Sequence, residues 1–582
     1  MTMASMVSLA AIALVAVASI VIGSFGVRLA RNTSDFLVAS RTVKPLANAG
    51  AISGEYLSAA SFLSVAGAIL KDGPDALWYP IGFTAGYLAL LLFVAAPLRR
   101  SGAYSVPDFA EFRLRNINLQ RLCAIFVIVI GWLYLLPQLQ GAGLTLATVV
   151  PAVPAWSGVV IAGVVVVSAV AFGGMRSITF VQAFQYWLKF TALALPVITL
   201  LIYVGGDHRS LNLPAPPQFP TDTTVNVKTP VLLEVSQPVT FQATGVLDGE
   251  RRGGTVRWDP GRRHSVSAGS TLVFAAGTAV PVPAGSPTRN SSWLTPLSEE
   301  EDVRTHLFEI YSLIMATFLG TMGLPHVLVR FFPNPDGRTT RRTTVVVLAM
   351  LGSFYLLPTL LGVFSRLYVP QLLVSGETDA AVLLLPTAAL GGGPLPTLLG
   401  GLVAAGAWAA FLSTSSGLLV SAAGVLSTNP PLFRRVSVRD FRVAAVLAGV
   451  VPVALAMFAI RLDFSETVSL AFAVAASTFC PLLALGIWWN GLTDRGAMAG
   501  LAVGGISSVT AVILRLFGLT PGGWFGYLIA RPAAVTVPAA FLTMIVVSKL
   551  TTNRKLPDAA SLLLRMHAPE RLGLGEDRIR NF

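Results

Sequence analysis

The chain has 582 residues, 54% of them hydrophobic and only 12% charged, about half the charged share of an ordinary soluble domain. With a mean hydropathy of +0.71, these figures exclude a typical soluble enzyme, a disordered scaffold and a collagen-like fibre. Two cysteines exclude a disulfide framework. The net charge of +13 lies in short clusters between long apolar runs, a pattern of membrane topology rather than of nucleic-acid binding.

Thirteen apolar runs approach the ~20 residues that span a ~30 Å hydrocarbon core. They fall at 5–26, 46–70, 76–98, 121–149, 156–173, 180–204, 306–328, 343–366, 396–426, 441–460, 464–489, 496–517 and 532–549. No basic segment precedes the first run and no cleavage site follows it, so it reads as a retained helix. With the N-terminus outside, the cytoplasmic segments carry 26 of the 41 Lys and Arg residues, the bias expected of the inner face. The expectation is a multi-pass protein of the cell membrane with its C-terminus in the cytoplasm.

The domains follow in order: 1–45, an extra helix and linker; 46–204, five helices; 205–305, an insert; 306–490, five helices; 491–550, two more helices; and 551–582, a cytoplasmic tail. The insert holds 11 of the 37 prolines. Alternating stretches at Val225–Val227 and Val239–Phe241 and a turn signal at Asp248-Gly249 predict a small extracellular β-rich domain. It is a loop decoration or a contact surface for an outside partner. Asn290-Ser291-Ser292 fits a glycosylation sequon, as chance also allows.

Two helices are interrupted. GAISGEYLSAASFLSVAG (Gly50–Gly67) places glycine, a carboxylate and serine hydroxyls at membrane depth. MATFLGTMGLPHVLVRFF (Met315–Phe332) carries Gly320, Gly323 and Pro325. Irregular backbone survives at that depth only when it lines a cavity or is buried in protein. Each broken helix opens a group of five, and five is odd, so the second group is inverted relative to the first. That is the pattern of an inverted-repeat secondary transporter with its site at the breaks. A third helix carries AFLSTSSGLLVSAAG (Ala410–Gly424). The adjacent hydroxyls of Ser413 and Thr414, with carbonyls freed near Gly54–Leu57, offer the oxygen ligands a hard cation takes.

On these residues the chain resembles the sodium:solute symporter family, and most closely its cation/acetate symporter branch. The matching segments are GEYLSAASFL (Gly54–Leu63), YSVPDF (Tyr104–Phe109), GGMRSITFVQ (Gly173–Gln182), GTMGLPHVLVRFF (Gly320–Phe332), Leu470–Gly500 and LLRMHAPE (Leu563–Glu570). The resemblance implies an all-α polytopic protein of the leucine-transporter type, two inverted five-helix repeats with flanking helices. It also implies Na⁺-coupled import of a short-chain monocarboxylate such as acetate, propionate or pyruvate by alternating access. Carried over by position, the sodium site would be Gly54, Leu57, Ala410, Ser413 and Thr414, with Gln182 close to it. Substrate would meet Ser58, Ser61, Gln138, Gln140, Thr317 and Thr321. Na⁺ is then cargo, with no other cofactor and no nucleic-acid partner. The chain departs from the pattern at Glu55, an aspartate in relatives, at LSTNPPL (Leu426–Leu432), and at Lys189.

Lys189 lies mid-span, two turns after Gln182 and on its face. A cation at that depth costs at least ~2.5–3.5 kcal/mol and needs a partner. Three readings stand side by side: an ion pair with an acid such as Glu55, a counter-ion for a carboxylate substrate, or a built-in cation that replaces Na⁺ and couples transport to protons. His326 reads as a structural histidine bonded to backbone, with a proton relay as the alternative. From other classes come a sensor with degenerate transport, which the retained Ser413 and Thr414 speak against, and an intramembrane enzyme, for which spacing supplies no nucleophile and base.

Overall fold

The computed structural model describes residues 2–27, 45–103, 105–204, 215–297, 303–330, 337–428, 438–459, 462–554 and 558–568. Twelve of its helices are long and apolar enough to cross a membrane. One of the twelve, Ala60–Ser101, has 42 residues, ~63 Å if straight and twice the hydrocarbon core. It folds back on itself: Gly73 takes φ +63°, and the Tyr56 hydroxyl donates to the carbonyl of Phe83 at 2.9 Å. The turn separates the two apolar runs, 46–70 and 76–98, that the sequence predicts here.

Helix α1 (Met3–Val27) precedes the first repeat. That repeat comprises the broken α2 (Pro45–Tyr56) and α3 (Val65–Asp72), then α4 (Trp78–Leu90) with α5 (Ala96–Ser101). A short α6 (Val106–Leu114) leads into α7 (Ile117–Val149) and α8 (Ala155–Val204). α8 is two spans, Ala155–Gly173 and Ser177–Tyr203. They lie back to back, since Val165 and Ala169 line one small cavity with Val181 and Gln185.

The insert is a seven-stranded antiparallel sheet of order β1-β6-β3-β5-β2-β7, with β4 on β3. The strands are β1 (Thr223–Asn226), β2 (Val231–Glu234), β3 (Val239–Leu247), β4 (Glu250–Trp258), β5 (Arg263–Val266), β6 (Thr271–Phe274) and β7 (Val282–Pro283). Asp248 and Gly249 join β3 to β4 with φ of 54° and 81°, the two-residue hairpin turn their sequence signals. Phe241, Trp258, Phe274 and Leu247 fill its core. Helix α9 (Asn290–Leu294) docks the insert: the Trp293 indole donates to the carbonyl of Ile69 at 2.8 Å, with Arg366 stacked over its ring at 5.2 Å. Asn290 is buried and accepts from Arg366 at 3.3 Å, so the sequon is a structural joint.

The second repeat starts with α10 (Val303–Ile314), α11 (Gly320–Gly323) and α12 (Pro325–Val329), then α13 (Gly337–Tyr368). α14 (Leu372–Ser375) and α15 (Ala381–Leu390) form the connection to α16 (Pro394–Thr428), α17 (Val438–Phe458) and α18 (Phe464–Trp488). α19 (Asp494–Leu516), α20 (Trp524–Ala530), α21 (Ala533–Leu550) and α22 (Ala559–His567) follow. The segment after α16 that departs from the family pattern lies mostly outside the described residues.

The insert holds the α14–α15 connection. Lys228 pairs with Glu377 at 3.0 Å, and Thr229 donates to the Gly376 carbonyl at 3.0 Å. Beside these contacts, Asp379 accepts the Phe464 N–H at 3.0 Å. Burial, reinforced by the charge of Asp463, raises the Asp379 carboxyl to about 7, while Lys71, 2.8 Å away, holds Asp463 low. A raised carboxyl stabilises the fold while protonated, and that contribution disappears as pH climbs from ~4 through ~7. The thermal midpoint of the wild type is therefore expected to fall between pH 5.5 and pH 8. Melts of Asp379→Asn over the same range should lose most of that slope.

Candidate functional site

The two breaks define the site. In the first repeat the helix stops at Leu57–Ser58 and resumes through a wide turn at Ala60–Ser64. In the second it widens at Met315–Leu319 and stops at Leu324, whose ψ of 113° is extended. Backbone groups freed in this way must find partners inside the protein, and most of the polar side chains here do that work. The Gln138 amide oxygen accepts the Ala59 N–H at 2.9 Å. Thr414 donates to the Glu55 carbonyl at 2.6 Å.

Two further carbonyls converge on one cation. The ammonium of Lys189, fully buried, donates to the carbonyl of Gly54, to that of Leu57 at 2.8 Å and to the hydroxyl of Ser413 at 3.0 Å. An ammonium has three N–H donors and no acceptor, and here all three are used. Three of the five groups that resemblance assigns to Na⁺ thus surround Lys189. The other two are engaged nearby: the Ala410 carbonyl accepts from Ser413 at 3.0 Å, and Thr414 is turned onto Glu55. A side chain at position 54 would collide with the Gln182 backbone, so glycine is what lets α2 approach α8 closely enough for Lys189 to reach.

Glu55 is paired with Arg330 and not with Lys189, the partner that one reading of the sequence gives it. Its carboxylate accepts from Arg330, and both side chains are only 2% exposed. Arg330 also donates to the amide oxygen of Gln182 and, at 3.1 Å, to Thr179. Gln182 in turn donates to the Ser413 carbonyl at 2.8 Å. The network therefore joins the end of α12 to α2, to the second arm of α8 and to α16. Sequence reasoning counts Arg330 among loop charges. The signal for it is Glu55 itself, because a buried carboxylate requires a partner, and Arg330 lies within Met315–Phe332, the second interrupted segment.

The other expected residues divide. Ser58 interacts with the Tyr134 hydroxyl, and Ser61 shares a hydrogen bond with Tyr355 at 2.9 Å. Thr321 bonds the Thr317 carbonyl and the Tyr56 hydroxyl, at 2.7 and 3.0 Å. Thr317 is bonded back to its own helix at 2.8 Å. These residues gather around the breaks, whereas Gln140 reaches away to the end of α17, 3.4 Å from the carbonyl of Ala456. His326 is not bonded to backbone: neither ring nitrogen has a hydrogen-bond partner among the described residues. Tyr134 and Phe472, edge to face at 5.6 Å, form an apolar wall beside the breaks, and sequence reasoning does not single out either.

Two inverted five-helix repeats, each opened by a broken helix, with polar residues gathered at the breaks, define a secondary transporter of the leucine-transporter type. The chain belongs to the sodium:solute symporter family, which it matches over residues 36–231 and 273–504; the part left out, 232–272, is the heart of the β insert. A monocarboxylic acid transporter of Corynebacterium glutamicum is 28% identical over 88% of this chain and 86% of its own length. An uncharacterized symporter of Bacillus subtilis, YwcA, is also 28% identical, over 90% of each chain. Among solved structures, a substrate-bound, outward-open Na⁺-coupled sialic acid symporter superposes with a TM-score of 0.59 at 14% identity, covering 93% of this chain and 98% of that one. The relatives in family and fold are transporters.

Proposed function

We propose that this protein imports a short-chain monocarboxylate and that the ammonium of Lys189 stands in for the family's coupling cation, so that a proton gradient drives uptake. The observation carrying this reading is the threefold hydrogen bonding of Lys189 to Gly54, Leu57 and Ser413. A Na⁺ ion on the same oxygens would lie about 3 Å from the ammonium, where two unit charges repel by ~5 kcal/mol even at an effective dielectric of ~20. The substrate class is supported by the Corynebacterium relative and by the acetate-symporter segments of the sequence.

The protonated lysine ties the broken helix α2 to α16 and thereby shapes the substrate site, which is coupling by linked binding. Loss of the proton in the inward-facing state removes a donor and the charge, loosens that tie and allows both solutes to leave. By the distribution of Lys and Arg, the N-terminus lies outside and the C-terminus in the cytoplasm. A Na⁺-coupled reading remains as the second, favoured by the retained oxygen set of Ala410, Ser413 and Thr414. Labelled acetate and pyruvate uptake into proteoliposomes, under an inward H⁺ or an inward Na⁺ gradient, separates the two. Uptake is expected with the proton gradient alone. Uptake that needs Na⁺ would return the cation site to sodium, and no uptake of either acid would remove the substrate class.

A further inference from the structure

His326 is the second residue of α12, immediately past the break at Leu324. Its side chain is 2% exposed, and both ring nitrogens lack a hydrogen-bond partner among the described residues. An imidazole always carries at least one N–H donor, and burying it unmet in an apolar interior is costly. A histidine kept for architecture would spend a nitrogen on a nearby carbonyl, as Gln138, Gln140 and Gln182 spend their amide N–H groups.

Its surroundings suit a small acid. The ring lies edge-on to Tyr134, centroids 5.4 Å apart. Tyr134 packs in turn against Phe472 and reaches Ser58 at the other break. Tyr134 and Phe472 offer an apolar face to an alkyl group. The competing polar groups at the breaks are committed to protein partners: Ser61 to Tyr355, Thr321 to Thr317 and Tyr56, and Gln138 to Ala59.

We infer that His326 is the carboxylate-binding residue of the substrate site, donating its imidazole N–H to one oxygen of the acid while Tyr134 and Phe472 cover the alkyl end. This rests on the monocarboxylate reading above. The test is labelled acetate uptake by wild type, His326→Leu and His326→Gln in proteoliposomes, with acetamide as a neutral competitor of the same shape. For His326→Leu the half-saturating acetate concentration is expected to rise about tenfold or more, ~1.4 kcal/mol, and the preference for acetate over acetamide to collapse. His326→Gln, which keeps an N–H donor, should recover most of both.

Unchanged half-saturation and unchanged discrimination in His326→Leu, even with reduced maximal rate, would make the residue architectural and overturn the inference while the monocarboxylate reading stands. If His326→Leu does not fold, His326→Gln and His326→Phe decide by the same two quantities. A wild type that carries no monocarboxylate under either gradient defeats the function reading, and the inference falls with it.

Discussion

Lys189→Met is expected to abolish proton-driven uptake, lowering the initial rate at least ~100-fold, while the protein remains folded. Methionine fills much of the same space but leaves the carbonyls of Gly54 and Leu57 without the donor that now meets them. Each unmet acceptor costs about 1–3 kcal/mol, so a lower melting point accompanies the loss. Lys189→Ala should behave differently. It frees the carbonyls of Gly54 and Leu57 and the Ser413 hydroxyl, beside Ala410 and Thr414, and leaves room for a small hard cation. Its melting point is expected to rise with NaCl and not with choline chloride, whereas wild type shows no such difference. Sodium-specific stabilisation of wild type itself would show that the ammonium does not hold the cation position.

That Lys189 meets the oxygens which resemblance assigns to a cation is only half legible in the sequence. The distance of two turns from Gln182 puts Lys189 on the face of α8 that meets the site, and resemblance names the oxygens. Their meeting depends on the register of α2, α8 and α16 against one another, which no local pattern encodes. Gly54 is the clearest trace, since its missing side chain sets how near α2 comes to the Gln182 backbone. The fold was more legible because length, hydropathy and broken-helix positions act locally and repeat. His326 shows the opposite limit: its sequence context reads as a histidine bonded to backbone, and only the structure shows that neither ring nitrogen has a partner among the described residues. The insert shows both cases, its hairpin turn being written in Asp248-Gly249, while its grip on the α14–α15 connection through Lys228 and Thr229 is purely tertiary.

Breaking the Glu55–Arg330 pair should have the second large effect, and the single and double variants should differ. Arg330→Leu leaves the Glu55 carboxylate buried without its main partner, which typically costs about 3–5 kcal/mol. Low yield and a strongly reduced melting point are expected. Glu55→Leu combined with Arg330→Leu removes both charges and should recover most of that stability, because a well-packed apolar pair often replaces a buried ion pair without loss. Space is tight there, as a side chain at Gly417 would already collide with the Glu55 carboxylate, so the recovery tests packing as well as charge.

The double variant is nevertheless expected to transport poorly. Arg330 joins α12 to α2 and α8 at the end of the bundle away from the insert, and the proposed alternating-access cycle would open and re-form this joint at each turnover. Without it the helices should rest open toward that end. A cysteine introduced at Ser58 reports this directly, since the native Cys123 and Cys480 are both buried. In the double variant its labelling by a membrane-impermeant thiol reagent from the side of the membrane opposite the insert should accelerate about tenfold or more, the shift that ~1.4 kcal/mol of lost closure produces. Equal labelling in wild type and double variant, with transport intact, would reduce the pair to a fixed structural bridge and leave the closing of that end to the apolar contacts around it.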